Sequence, residues 1–269
     1  RGDVQLVLGI PGAVPAAEKR DVIELVIGVL GQAAGQAKSY VRQPHGQEAE
    51  SHQLAPAPAV SQLAADQLQA YLERISGARL PIVSAPTGHS TIPIFVGRSA
   101  HTDRLGIGEE GLKHGAFHMK SGANWLVLLG RDRDFTPPEP HARSNGDIPR
   151  ATAEWDKLTG ATWGFPHTQI YKMRHRDVGI WEKDERGSLN AVCQFLRRLG
   201  VRWYLPGELG EIVPQRKTIA IPEVDETVRP DFALRYPYQY TKRFAMASVD
   251  EVMWQLRLGL SQAPEGIGL

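Results

Sequence analysis

The stretch "RGSLNAVCQFLRRLGVRWYLPGELGEIVP", residues 186–214, changes its hydrophobic period halfway along, and that change decides the kind of fold to expect. Leu189, Val192, Cys193, Leu196 and Leu199 recur at steps of three and four, which paints one stripe along a helix. Gly200 follows as the residue that ends it, and Ser188 stands where a cap would begin it. In "VRWYL" the period becomes two: Val201, Trp203 and Leu205 face one side and Arg202 and Tyr204 the other, as in a strand. Pro206 and Gly207 then suit the two central positions of a type II turn. Helix, strand and turn in direct succession predict a helix laid on a sheet.

Working outward, a second amphipathic helix is written by Val60, Leu63, Ala64, Leu68, Tyr71, Leu72 and Ile75, with Gly77 as its stop. "LPIV" (residues 80–83) and "IPIFVG" (residues 92–97) read as short strands joined by the turn-rich "SAPTGHST". "AFHMKSG" alternates, and "WLVLLG" (residues 125–130) is a continuous apolar run typical of a strand covered on both faces; together they predict a hairpin. "TIAIP" is a later strand. The fold class is therefore α+β, a small mixed β-sheet packed by two long helices.

The flanks read differently. Residues 1–57 are rich in Ala, Gly and Gln and are expected to form a poorly anchored arm, with one helix across residues 18–30. Residues 58–236 form the α+β domain, interrupted by a long loop over 131–185 that carries Trp155, Trp163, Phe165, Tyr171 and Trp181.

Composition removes several function classes. In 269 residues, 31 Lys and Arg face 30 Asp and Glu, a net charge of +1 that offers no global field for nucleic acid or an anionic membrane. No apolar run is long enough for a membrane-spanning helix. Cys193 is the single cysteine, so no internal disulfide and no thiolate cluster is expected. It sits in an apolar stripe and reads as a small core residue rather than a nucleophile. His114 and His118 have a four-residue spacing, but their context is a turn and a strand, and no metal or other cofactor is expected.

Two groups of residues carry candidate chemistry. Glu208 and Glu211 lie close enough in sequence to serve as the two carboxylates of a glycosidase, which stand about 5–9.5 Å apart. Acids on one turn, however, approach a sugar from the same side. The simpler reading is a solvated turn whose acids cap or pair with Arg202 or Arg216. The aromatic residues Trp155, Trp163, Tyr171 and Trp181 have flat rings able to cover the C–H face of a pyranose, and they are the candidates for carbohydrate contact.

The runs "AADQLQAYLERISGARLPIV", "IPIFVGRS", "RGSLNAVCQFLRRLGVRWYLPGELGEIVP" and "RPDFALRY", in that order, resemble the N-terminal domain of bacterial alpha-glucuronidase-like and family 20 hexosaminidase-like glycoside hydrolases. The resemblance spans residues 60–236 and implies the sheet-and-two-helix domain, like the second domain of hexosaminidases, that leans on a (β/α)8 barrel carrying the catalytic acids. It likens "PYQYTKRFAMASVDEVMWQLRLGLSQ" to the first barrel strand and helix, so that residues 237–269 would begin an incomplete barrel. No catalytic residue is carried over to this chain. The implied function is a non-catalytic accessory domain of an enzyme acting on polysaccharide or uronic-acid-containing glycans, with an uncovered apolar face turned to the barrel and an extracytoplasmic location. A self-sufficient carbohydrate-binding module using the loop from Trp155 to Trp181 is the alternative.

Overall fold

The structure, a computed structural model, describes residues 5–9, 22–27, 58–85, 91–137, 139–142, 144–162, 175, 177–216, 218–235 and 247–260. Strands β1 (Gln5–Gly9) and β2 (Val22–Ile27) precede α1 (Ala59–Ser76), β3 (Ile82–Val83), β4 (Thr91–Val96) and the short α2 (Ala100–Arg104). Then come β5 (Phe117–Gly122), β6 (Trp125–Gly130), β7 (Asp132–Arg133), α3 (Ile148–Thr159), β8 (Glu185–Arg186) and α4 (Gly187–Arg198). The last elements are β9 (Arg202–Trp203), β10 (Glu211–Ile212), β11 (Thr218–Pro222), β12 (Asp225–Val228) and α5 (Val249–Arg257).

The main sheet is mixed, with strand order β12-β5-β6-β4-β2-β3. β5 runs antiparallel to both β12 and β6, whereas β6, β4, β2 and β3 are parallel to one another. Parallel neighbours need a crossover, and α1 supplies the one from β2 to β3. Both α1 and α4 lie against the sheet and against each other, so the fold is α+β with one sheet packed by two helices. The stripe Val60, Ala64, Leu68, Tyr71, Leu72 and Ile75 is buried, as is Leu189, Val192, Cys193, Leu196 and Leu199 on α4. Along β6 the side chains divide: Leu126 and Leu128 join the helical core, while Val127 and Leu129 pack with Phe95, Ile107, Leu112 and Ala116 on the opposite face. That is why β6 reads as unbroken apolar sequence.

Five expectations need correction. Val22–Ile27, inside the segment read as a helix, is a strand seated between β3 and β4. Its run of Val, Ile and Leu suits either element, and two open parallel edges decide in favour of the strand. The long loop contains the α3 helix, opened by Pro149 in its first turn and closed by Gly160. "VRWYL" contributes only the two residues of β9, paired with β10 in a hairpin apart from the main sheet. Gly207 has the positive φ expected of it, 79°, but its ψ of 177° opens into a 3₁₀ turn over Glu208–Gly210 instead of closing a type II turn. Ser188 does not cap α4: its hydroxyl lies against the backbone of Gly130, and its own N–H is taken by Asp132.

Asp132 and its neighbour Asp134 serve both long helices. Asp132 Oδ1 accepts from the Ser188 N–H at 2.9 Å and its Oδ2 accepts from the Ser61 hydroxyl at 2.7 Å. Asp134 accepts from the N–H of Ala59, the first residue of α1, at 3.1 Å. Negative charge is thus brought to two helix N-termini from one short segment, where orphan N–H groups and the helix dipole favour it. At the far end of the domain, α5 places Val252, Met253 and Leu256 in the same core as α4. The segment likened to a barrel strand lies almost wholly outside the described residues.

Candidate functional site

Glu208 sits on the turn between β9 and β10 and Glu211 opens β10, in different surroundings. Glu208 is exposed on the 3₁₀ turn. Glu211 is turned inward, its side chain 5% exposed, and both oxygens are used. Tyr71 donates to Oε1 at 2.7 Å, Arg257 to Oε1 at 2.6 Å and Arg74 to Oε2 at 2.6 Å. The partners are therefore Arg74 and Arg257, and not the neighbouring Arg202 or Arg216. Arg257 also donates from Nε and Nη2 to Gln67 Oε1 at 3.1 and 3.0 Å. Trp203 Nε1 donates to the Tyr71 hydroxyl at 2.7 Å, with the two rings edge to face at 5.4 Å.

This network joins α1, the hairpin and α5 through side chains far apart in the chain. Burial by itself would raise the Glu211 carboxyl; the Tyr71 and Arg74 hydrogen bonds and the Arg257 and Arg74 charges outweigh it and hold the group below its ordinary range. The Tyr71 phenol is pushed up to about 12, chiefly by burial. A carboxylate kept ionised and clamped by three donors is a poor proton donor and a poor nucleophile. Cys193 is equally unsuited to attack, because burial pushes its thiol up to about 12.

The aromatic candidates divide. Trp163 and Tyr171 lie outside the described residues. Trp155 is half-buried on α3. Trp181 is half-buried just before β8, where its ring meets Phe135 edge to face at 5.8 Å, and the Lys183 ammonium lies 5.5 Å from the centre of the Phe135 ring. One residue holds this pair together: Asp184 accepts from the backbone N–H of Phe135 at 2.6 Å and of Trp181 at 2.7 Å. Beside it Glu182 is buried, with Oε1 lacking any hydrogen-bond partner among the described residues, and burial raises its carboxyl to about 7 against the Arg186 and Lys183 charges. Neither Phe135 nor Glu182 stood out in the sequence, since "DRDF" and "WEKDER" look like ordinary solvated charge runs.

A third feature is apolar. Tyr204, Leu205, Leu209 and Ile212 project from the β9–β10 hairpin, with Leu209 96% exposed. A side chain added at Gly207 would come within 3.4 Å of Asp250, so the turn abuts the start of α5, where Val249 is exposed as well. Burying one such aliphatic side chain is worth about 1.5–3 kcal/mol, and this hairpin leaves that free energy unused.

Compared with known proteins, the chain matches no family model, no curated protein and no solved structure.

Proposed function

We propose that this chain is a non-catalytic accessory domain of a glycoside-hydrolase-like protein acting on polysaccharide or uronic-acid-containing glycans, and that it braces a (β/α)8 barrel of the same protein. The observation that carries the reading is the division of labour on the β9–β10 hairpin. Its inward acid, Glu211, is committed to holding α1, the hairpin and α5 together. Its outward side chains, Leu205, Leu209 and Ile212, are apolar and uncovered. A hairpin built in this way suits docking better than bond cleavage, because hydrolysis needs two carboxyls facing one scissile bond. In the proposed assembly the hairpin tip meets the barrel.

The test uses the purified chain in two assays. Aryl glycosides should be turned over no faster than in buffer. Sedimentation velocity should show concentration-dependent self-association that is lost when Leu205 and Leu209 are both replaced by Ser. Hydrolysis that disappears in a folded Glu208→Gln protein would overturn the reading. Binding to xylan or uronic-acid oligosaccharides that disappears with Trp181→Ala would replace it with the carbohydrate-binding module.

A further inference from the structure

Along one flank of α4, Asn190, Cys193, Gln194 and Arg197 follow one another at helical spacing, and they form one wall of a cleft of about 160 Å³. The opposite wall comes from Phe117 on β5, the segment after β12 that carries Arg235, and the end of α5 with Arg257. Three of the lining side chains are arginines, and among the described residues none is an acid.

Among the described residues the charges around the cleft do not balance. Arg257 shares the single carboxylate of Glu211 with Arg74. Arg197 donates to the Arg257 carbonyl at 2.8 Å and lies 5.9 Å from the centre of the Trp203 ring. Arg235 donates to the carbonyls of Gly259 at 2.8 Å, Phe232 at 2.6 Å and His114 at 3.1 Å. Among the described residues neither Arg197 nor Arg235 meets a carboxylate. The carbonyls at the end of α5 amount to roughly half an elementary charge, which leaves most of two positive charges uncompensated. A guanidinium carries five N–H donors, so both arginines keep some in hand. Burial holds the Arg235 group below its ordinary range, as expected of a cation drawn from water without a counter-charge.

Binding of backbone carbonyls, at the end of α5 and at Phe232 and His114, accounts for the bonds these arginines make, but it gives no reason for an acid-free wall. We infer that the cleft binds a small organic anion, its carboxylate or phosphate oxygens between Arg197 and Arg235 and its hydroxyl or carbonyl groups on the Gln194 amide and on the second N–H of the Asn190 amide, whose first is taken by the Gly115 carbonyl at 2.9 Å. At about 160 Å³ the space is below the 300–1,000 Å³ usual for larger ligands, so the ligand is a compact molecule and not an oligosaccharide. The inference is independent of any role in docking on a barrel.

Titration of the ¹⁵N-labelled chain with inorganic phosphate and, separately, with succinate tests it, at ionic strength held constant with chloride. Saturable shifts of the Asn190 and Gln194 side-chain amides are expected with at least one anion, and which one saturates tells phosphate from carboxylate. Gln194→Glu keeps the shape and adds a repelling charge; it should weaken binding at least about tenfold without lowering the melting temperature, and Arg197→Gln should weaken it similarly. No saturation with either anion up to tens of millimolar overturns the inference. So does saturation that Gln194→Glu and Arg197→Gln both leave unchanged.

Discussion

The Tyr71 hydroxyl donates to Glu211 at 2.7 Å while accepting from Trp203 at the same distance, so one phenol on α1 fixes both strands of the β9–β10 hairpin. The two residues are separated by 140 positions. Their bond makes the hairpin part of the α1 surface, and Arg257 extends the attachment to α5.

Removing the carboxylate should therefore be costly. Glu211→Ala leaves Arg257, 14% exposed, without its counter-charge. Breaking a buried pair in this way costs about 3–5 kcal/mol, and Arg74, whose side chain is 43% exposed, can recover hydration, which places the expected loss at about 3 kcal/mol in urea unfolding. The folded pKa lies below the unfolded value of 4.5, so this stability is present above that pH and is lost as pH falls through the folded value. In Glu211→Gln that acid-side loss should be absent from the stability profile.

Glu182 predicts the opposite slope. Its carboxyl is raised from 4.5 to about 7 by burial, so the folded state holds the proton more tightly than the unfolded chain does. Its favourable contribution is complete below pH 4.5 and disappears as pH rises through 7. Glu182→Gln should flatten this descent and stabilise the protein at pH 8 by on the order of 2 kcal/mol. Thermal melts of both proteins from pH 4 to 8 measure it; parallel profiles would refute the assignment.

Asp132 caps α4 and holds Ser61 on α1, yet burial raises its carboxyl to about 6. Asp132→Ala removes the cap and should cost about 1–2 kcal/mol. Asn keeps an acceptor for the Ser188 N–H and gains a donor for Ser61, without a buried charge. Asp132→Asn should therefore match the parent below pH 3.8, pull ahead as pH rises from there to about 6 and keep that lead above it, as read from the midpoint of denaturant unfolding.

Gly130 ends β6 against Gly187, the first residue of α4, and a Cβ on Gly130 would stand 2.4 Å from the Gly187 Cα. The Gly187 carbonyl carbon lies closer still, at 2.3 Å, and both of these Gly187 atoms belong to backbone, so neither can swing away. Gly130→Ala should cost about 3 kcal/mol by overpacking, and Gly187→Ala should cost as much. Circular dichroism melts check both; a loss under 1 kcal/mol would mean that α4 sits farther from β6.

Much of this architecture was legible in the sequence because its signals are local. The stripes of α1 and α4 appear as three-and-four spacing, the glycines that follow mark their ends, and the unbroken apolar run of β6 reports burial on both faces. Each of these depends on neighbours a few residues away, and a period is a property of a short window. Other features were decided only by the tertiary structure. Val22–Ile27 satisfies either a helix or a strand until β3 and β4 offer it two edges. Asp132 replaces Ser188 as the cap of α4 because β7 brings it there. Glu211 looked like half of an acid pair, and its partners proved to be Tyr71 and Arg74 on α1 and Arg257 on α5. An acid's role is set by which donors surround it in space, and a chain records that order only once it has folded.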